Sequence, residues 1–478
     1  DPLFNFKHQE NNYIDFKREQ LLDKMTSNEG PSMATADLNN DGYIDFYVCG
    51  AKNQSGQLFI SKKDGTYSTI ENPFDLDKNS EDTSAAFFDS DNDGDLDLYV
   101  CSGGKSFSKF DSNLEDRLYI NTKNQFIKSE NKLPFTKRIC SAVVTPIDYD
   151  LDGDLDLFVG ERYNPEVYGI PGSGFVLTND GNNKFSLTYQ KDLENIGMIT
   201  KAEWVDLNGD KFPDLVISGE WMPISILINK NGTLINQTAS YNLDKSIGLW
   251  TALKLDDIDD DGDIDIIAGN IGENSFYKKG TTLFINDFDN NGRMEQIICQ
   301  KINGKYYPIL DKDELISQMP LLKRKLLYYK DYANADMTII FSPEILENSL
   351  KFEMDIASST IFINNGSSFS PLKLPSEVQY STVYAIDIFD ANNDGTKDIF
   401  FGGNQNLIKP QFGKLDASKG WLLFGEKTQS DYKFKKIEPL NIPGQIRAFK
   451  IITQNNKSIL TTSINNNFLS FYEIEFQQ

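Results

Sequence analysis

The sequence predicts an all-β chain folded as a seven-bladed β-propeller, with an eight-bladed ring as the alternative. Three observations carry this expectation. An acidic nine-residue loop followed by a short apolar strand recurs seven times. A second strand marker recurs behind most copies, as in Leu118-Tyr119-Ile120-Asn121, Val176-Leu177-Thr178-Asn179 and Ile361-Phe362-Ile363-Asn364. The spacing between most copies suits four short antiparallel strands, the unit of a propeller blade.

The loops start at residues 37, 89, 148, 206, 257, 287 and 390. The first four intervals are 52, 59, 58 and 51 residues, one blade each. The next is only 30 and the last is 103. Residues 270–357 therefore read as an insertion within the fifth blade, carrying the sixth loop. Inside it, residues 311–332 read as helical, with Leu322, Leu326 and Tyr329 on one face and Pro320 starting or breaking a helix. Residues 446–452, 458–464 and 468–476 supply three strands of the last blade. The N-terminal segment, 4–16, is expected to add the fourth and close the ring, so that residues 1–478 form a single domain.

The first loop places Asp37, Asn39, Asp41, Tyr43 and Asp45 at positions one, three, five, seven and nine. The second has Asp89, Asp91, Asp93, Asp95 and Asp97, and the third Asp148, Asp150, Asp152, Asp154 and Asp156. The fourth has Asp206, Asn208, Asp210, Phe212 and Asp214, with Gly209 early and Lys211 where the glycine usually falls. The fifth has Asp257, Asp259, Asp261, Asp263 and Asp265. The sixth is weaker, with Asp287, Asp289, Asn291, Arg293 and Glu295, and the seventh has Asp390, Asn392, Asp394, Thr396 and Asp398.

Hard oxygen ligands at alternate positions around a glycine-bearing turn suit calcium. Side chains at positions one, three, five and nine can converge on one ion, and position seven would lend its backbone carbonyl, which explains its varied side chains. An EF-hand would need a bidentate Glu at position twelve and an exiting helix. Position twelve is instead Val48, Val100, Val159, Ile217, Ala268, Ile298 and Phe401, so the loops exit into strands. Magnesium seldom uses an all-protein cage. The reading is five to seven calcium ions per chain in a structural role. Charge agrees: the chain carries a net −24, and seven divalent ions would leave −10.

That acidity argues against a nucleic-acid binder. No run of 18 apolar residues exists, so no transmembrane helix is expected. The single histidine, His8, weakens every mechanism that needs an imidazole base or a histidine-held zinc. Cys49 and Cys101 lie at equivalent places in two repeats and read as buried free thiols. The chain begins Asp1-Pro2 with no signal peptide, so it reads as a mature or excised part of a longer polypeptide.

The loops and the strands behind them resemble the FG-GAP/VCBS repeats of integrin α-subunit propellers. Short glycine signatures such as Ser102-Gly103-Gly104 and Phe401-Gly402-Gly403-Asn404 follow the second strand of most blades. The closer match is to VCBS-repeat proteins of the cartilage-acidic-protein-like group, which include surface lipoproteins of Gram-negative bacteria. The stretches Gly219-Glu220-Trp221-Met222-Pro223, Gly269-Asn270-Ile271-Gly272 and Gln318-Met319-Pro320 are similar to that group. The resemblance implies an extracellular or cell-surface, calcium-loaded module associated with the outer membrane.

In a blade, the loop between strands one and two lies on one face of the disc. The long connections 102–116, 161–172, 270–357 and 404–420 lie on the other, and long loops on a rigid scaffold commonly carry function. Arg117, Glu161, Arg162, Tyr163, Glu220, Trp221, Asn270, Glu273, Asn274, Asn404 and Gln405 are therefore the candidate partner-binding residues. The leading expectation is a non-catalytic module that binds a protein partner in a cell-surface or outer-membrane complex. One alternative is a glycan-binding propeller, although Trp204, Trp221, Trp250 and Trp421 do not share one repeat position. Another is a calcium-assisted polysaccharide lyase using Glu161, Arg162 and Tyr163.

Overall fold

The computed structural model describes residues 6–70, 73–427, 432–454 and 457–474. Its strands form eight antiparallel sheets. The first blade is Met33–Ala36, Asp45–Val48, Gln57–Ser61 and Tyr67–Thr69. The second is Asp82–Phe88, Asp97–Ser102, Arg117–Thr122 and Gln125–Lys128. The third and fourth open on Ser141–Ile147 and Met198–Val205. The sixth opens on Val383–Phe389 and the seventh is Ile446–Gln454, Lys457–Ile464 and Ser470–Glu473. The expected all-β propeller is what the chain forms.

Each inner strand is apolar on both sides, and the reason is visible in the seams. Successive strand residues point to opposite sheet faces. Phe46 and Val48 therefore pack toward the last blade, with Ile452 and Leu469. Tyr47 and Cys49 pack toward the second blade, with Leu98 and Val100. Tyr99 and Cys101 turn the other way, to Val144 and Leu157 of the third. A strand buried on both faces must read as a continuous apolar run, as Phe46-Tyr47-Val48 does. Seven such seams follow one another, and the last joins the two ends of the chain. There Lys7 bridges Phe468, and the His8 N–H donates to the Asn467 carbonyl at 3.0 Å. Phe4 and Phe476, at the limits of the expected closing strands, lie outside the described residues.

The fifth blade is interrupted. Its strands are Ala252–Asp256, Asp265–Gly269, Thr360–Asn364 and Phe369–Lys373. Between the second and third stands the eighth sheet: Thr282–Asn286, Glu295–Ile302, Lys305–Pro308 and Leu350–Glu353. The sixth acidic loop is the hairpin of this sheet, which shares none of the seven seams. Helical turns follow within the insertion: α1 (Lys312–Gln318), α2 (Tyr329–Ala333), α3 (Met337–Ile340) and α4 (Pro343–Glu347). Asp311 and Glu314 cap α1 reciprocally. The expected single helical face is corrected here. Pro320 starts a separate 3-10 turn, so the seven-residue spacing no longer aligns side chains, and Tyr329 is exposed while Leu326 is buried. All four cysteines are free and buried. Among the described residues no helix is long and apolar enough to cross a membrane.

Candidate metal centres and the covered face

Each acidic loop joins the first and second strands of its sheet, and its backbone turns twice through the left-handed region. Position four does so at Asn40, Asn92, Leu151, Gly209, Asp260, Asn290 and Asn393. Position six does so at a glycine in every loop but the fourth, where Lys211 has φ 77°. Short polar side chains and glycine tolerate that conformation best. The first carboxylate then collects backbone N–H groups. Asp37 accepts from Asp41 at 3.1 Å and Gly42 at 2.8 Å, and Asp148 does the same with Asp152 and Gly153 at 3.1 Å each.

Four loops bring three acidic side chains together with ligand atoms within 4.8 Å of one another. These are Asp89, Asp91 and Asp97; Asp148, Asp150 and Asp156; Asp257, Asp259 and Asp265; and Asp287, Asp289 and Glu295. In each, the position-three carboxylate (Asp91, Asp150, Asp259 or Asp289) has a buried Oδ1 with no hydrogen-bond partner. A buried acceptor without a partner is costly, and a cation seated among the three carboxylates would satisfy it. Positions one, three and nine thus fit a hard divalent ion. The position-five Oδ1 is committed in part to the position-seven N–H, as from Asp95 to Asp93 at 2.8 Å. Loops one, four and seven carry Asn39, Asn208 and Asn392 at position three, which lowers their ligand charge. In loop seven Asp394 is also ion-paired with Lys435.

The ninth residue has a second task. Asp45, Asp97, Asp156, Asp214, Asp265 and Asp398 are all buried at the start of their strands. Asp97 accepts from the Ser90 N–H at 3.1 Å and the Asn121 N–H at 2.7 Å. Asp156 accepts from Tyr149 and Asn179, Asp214 from Leu207 and Asn229, and Asp265 from Ile258 and Asn364. One carboxylate therefore clamps the loop to the third strand of its blade. The asparagine returns the bond: the side-chain amides of Asn121, Asn179, Asn229 and Asn364 donate to the carbonyls of Leu96, Leu155, Pro213 and Ile264 at 3.0–3.2 Å. Burial, with the neighbouring Asp150, lifts Asp156 to about 7. Burial, with Asp259, does the same to Asp265.

The opposite face corrects the expected partner surface. Arg117, Glu161, Tyr163, Glu220, Trp221, Asn270, Asn404 and Gln405 are buried, and Arg162 is nearly so. Only Glu273 and Asn274 are exposed. The N-terminal segment lies over Arg162, Tyr163, Glu220, Trp221 and Gln405, while the rest are held by residues of the blades and their connections. Lys24, itself buried, makes an ion pair with Glu220, which also accepts from the Tyr168 hydroxyl at 2.7 Å. Arg162 pairs with Glu29 at 2.6 Å. Arg117 pairs with Asp82 at 2.6 Å, and Glu161 with Lys137 at 2.9 Å. The Trp221 Nε1–H donates to the Tyr168 hydroxyl, and the Tyr163 hydroxyl donates to the Thr26 carbonyl. Asn270 holds Leu249 and Ile356, Asn404 holds Ser418 and Gly444, and Gln405 holds Met25. Asp23, Lys24 and Glu29 are the residues that sequence reasoning missed. They stand in a segment without periodicity, and only their charge in an otherwise ordinary stretch marked them.

Residues 37–100, 148–217 and 206–268 match the family model described as FG-GAP-like repeat. The chain is thus a β-propeller, three stretches of which match that repeat model. No curated protein matches it. Among solved structures, it is similar to BBS1N in complex with ARL6DN, soaked with lead, at 10% identity and TM-score 0.44, covering 94% of each chain. It is also similar to the Dos1 propeller, at 10% identity and TM-score 0.43, covering 95% of each. Neither likeness bears on function.

Proposed function

We propose that this chain is a non-catalytic recognition or scaffolding module, braced by five to seven structural calcium ions, that binds a protein partner outside the cytoplasm. The observation that carries the partner reading is an exposed apolar stretch on the insertion. Leu321, Leu327, Tyr328 and Tyr329 fall within nine residues and each is more than half exposed. Exposed apolar clusters on a soluble surface mark interaction sites. This stretch replaces the covered face as the place where a partner docks.

The calcium reading is supported by the orphaned carboxylate oxygens of loops two, three, five and six. Loops of this kind fill where free calcium is abundant, which favours an extracellular setting. The resemblance to VCBS-repeat surface proteins favours an outer-membrane assembly. The glycan alternative draws nothing from Trp221, whose ring is buried. The lyase alternative has no open base at Tyr163, whose hydroxyl is held by Thr26.

The test is a pull-down from native membranes with the calcium-loaded protein and with the Tyr328→Ser/Tyr329→Ser variant. A stoichiometric protein captured by the wild type and lost by the variant supports the reading. Failure of the wild type to capture one overturns it.

A further inference from the structure

The axis of the ring holds a cavity of about 90 Å³, room for several water molecules at about 10–15 Å³ each. Its wall takes residues from the first strands of the second, third, fourth, sixth and seventh blades, with Ser32 and Thr251 standing just ahead of the first strands of the other two. Five of these strands carry a register irregularity at their start, and in each the unpaired residue lines the cavity: Thr83, Ala142, Thr200, Tyr384 and Arg447. A bulge bends the strand and re-aims a side chain. The recurrence of one bulge at one level of the ring makes this a constructed space. The N-terminal segment supplies Thr26, Ser27 and residues 29–32 as a further wall.

We propose that this cavity binds one small oxyanion, a carboxylate or a tetrahedral phosphate or sulfate, through Lys201 and Arg447. The acids that line it are already engaged. Glu29 pairs with Arg162 at 2.6 Å and accepts from the Tyr384 hydroxyl at 3.2 Å. Asp82 pairs with Arg117 at 2.6 Å. Glu81 accepts from the Lys52 N–H and the Asn11 amide, and burial, then the neighbouring Glu10, raises its carboxyl.

The cations are not all engaged. Lys201 has no ion-pair or hydrogen-bond partner among the described residues, and it adjoins the bulge at Thr200. Glu203, two residues along the same strand, is paired with Lys254 at 3.7 Å. Lys201 sits deep in the ring yet keeps accessible surface, as a side chain facing a cavity must. Arg447 stacks on Tyr384, 4.1 Å from the ring centroid. Its hydrogen-bond partners are neutral: the carbonyls of Asn404 and Ile446 and the amides of Gln405 and Gln445. Two cations without a carboxylate partner in a confined polar cavity require an anion more than they tolerate each other. Lys201 offers three donors, and Arg447, whose terminal N–H groups are held by those neutral partners, offers its charge and an unpartnered Nε–H.

The experiment is isothermal titration of the calcium-loaded chain in Tris chloride, with acetate in one arm and sulfate in the other. Saturable binding of one anion per chain is expected in at least one arm, which identifies a planar or a tetrahedral ligand. Lys201→Met should weaken that binding tenfold or more. Arg447→Gln should do the same while retaining part of its amide contacts. Lys279→Met, at an exposed lysine, should bind as the wild type does. Absence of saturable binding to the wild type in both arms overturns the proposal, and so does unchanged binding in Lys201→Met.

Discussion

Lys24 and Glu220 lie 196 residues apart and meet as a buried ion pair where the N-terminal segment crosses the ring. Glu220 lies in the second strand of the fourth blade, which is buried along its whole length, and Lys24 comes from outside any blade. Burial alone would raise the Glu220 carboxyl, but Lys24 and then Arg162 hold it down at about 2. Removing one partner leaves a buried charge. Lys24→Ala should cost about 3–5 kcal/mol, toward the lower end because Arg162 remains at 3.4 Å. The double variant Lys24→Met/Glu220→Leu should cost less than either single change. Urea unfolding of the three variants measures this coupling.

Metal dependence should separate loop positions three and nine. Asp150→Ala removes a carboxylate whose buried Oδ1 has no hydrogen-bond partner. In EDTA this variant should match or exceed wild-type stability, because it relieves repulsion from Asp148 and Asp152. In calcium it should bind one ion fewer and lose about 2.7 kcal/mol where free calcium is a hundred times the dissociation constant. Metal analysis together with melting curves in both conditions decides it.

Asp97→Ala should behave differently. It orphans the Ser90 and Asn121 N–H groups as well as removing a ligand. At roughly 1–3 kcal/mol for each buried donor left unpaired, the loss should be about 2–6 kcal/mol and should persist in EDTA. A loss that appears only in calcium would mean that position nine is a ligand and nothing more.

The single histidine offers a direct reading of the closed ring. Burial, and then Arg447, lowers His8 to about 3. Its imidazole resonance should therefore not titrate between pH 8 and 5. Below pH 6.5 the unfolded chain binds a proton that folded His8 refuses, so acid destabilises through this group. Glu10, raised by burial to about 7, acts in the opposite sense: its contribution is present at low pH and is lost as pH rises toward 7. The two slopes oppose each other between about 4.5 and 6.5. In His8→Gln the opposing histidine slope is gone, and stability should rise on acidification from pH 7 to 4.5, through Glu10 and, in the same sense, through the raised Asp156 and Asp265. Selective ¹⁵N labelling of histidine and pH-dependent melting test both statements.

Much of the scaffold was legible in the residues. The loops repeat at blade spacing, and their left-handed turns fall on Asn, Asp and Gly except at Leu151 and Lys211. Lys211 shows that the fold imposes the sixth position's conformation even where glycine is missing. The asparagine ending strand three was visible as a repeat marker. Its bond to the preceding loop was not, because that pairing joins residues such as Asn364 and Asp265 across the whole insertion.

The partner surface shows where local pattern stops. Arg162, Glu220 and Trp221 stand in loops and strand ends that read as exposed. They are buried because a segment of a different part of the chain lies over them. Period-two strands and acidic turns are local properties, set by the few residues that form them, so the sequence by itself determined the blades and the loop chemistry. Which polar side chains are sealed, and which cations are left unpaired around the axis, was decided only by the tertiary structure. A charge acquires its partner, or lacks one, through contacts between residues hundreds of positions apart, and nothing in their local spacing encodes those contacts.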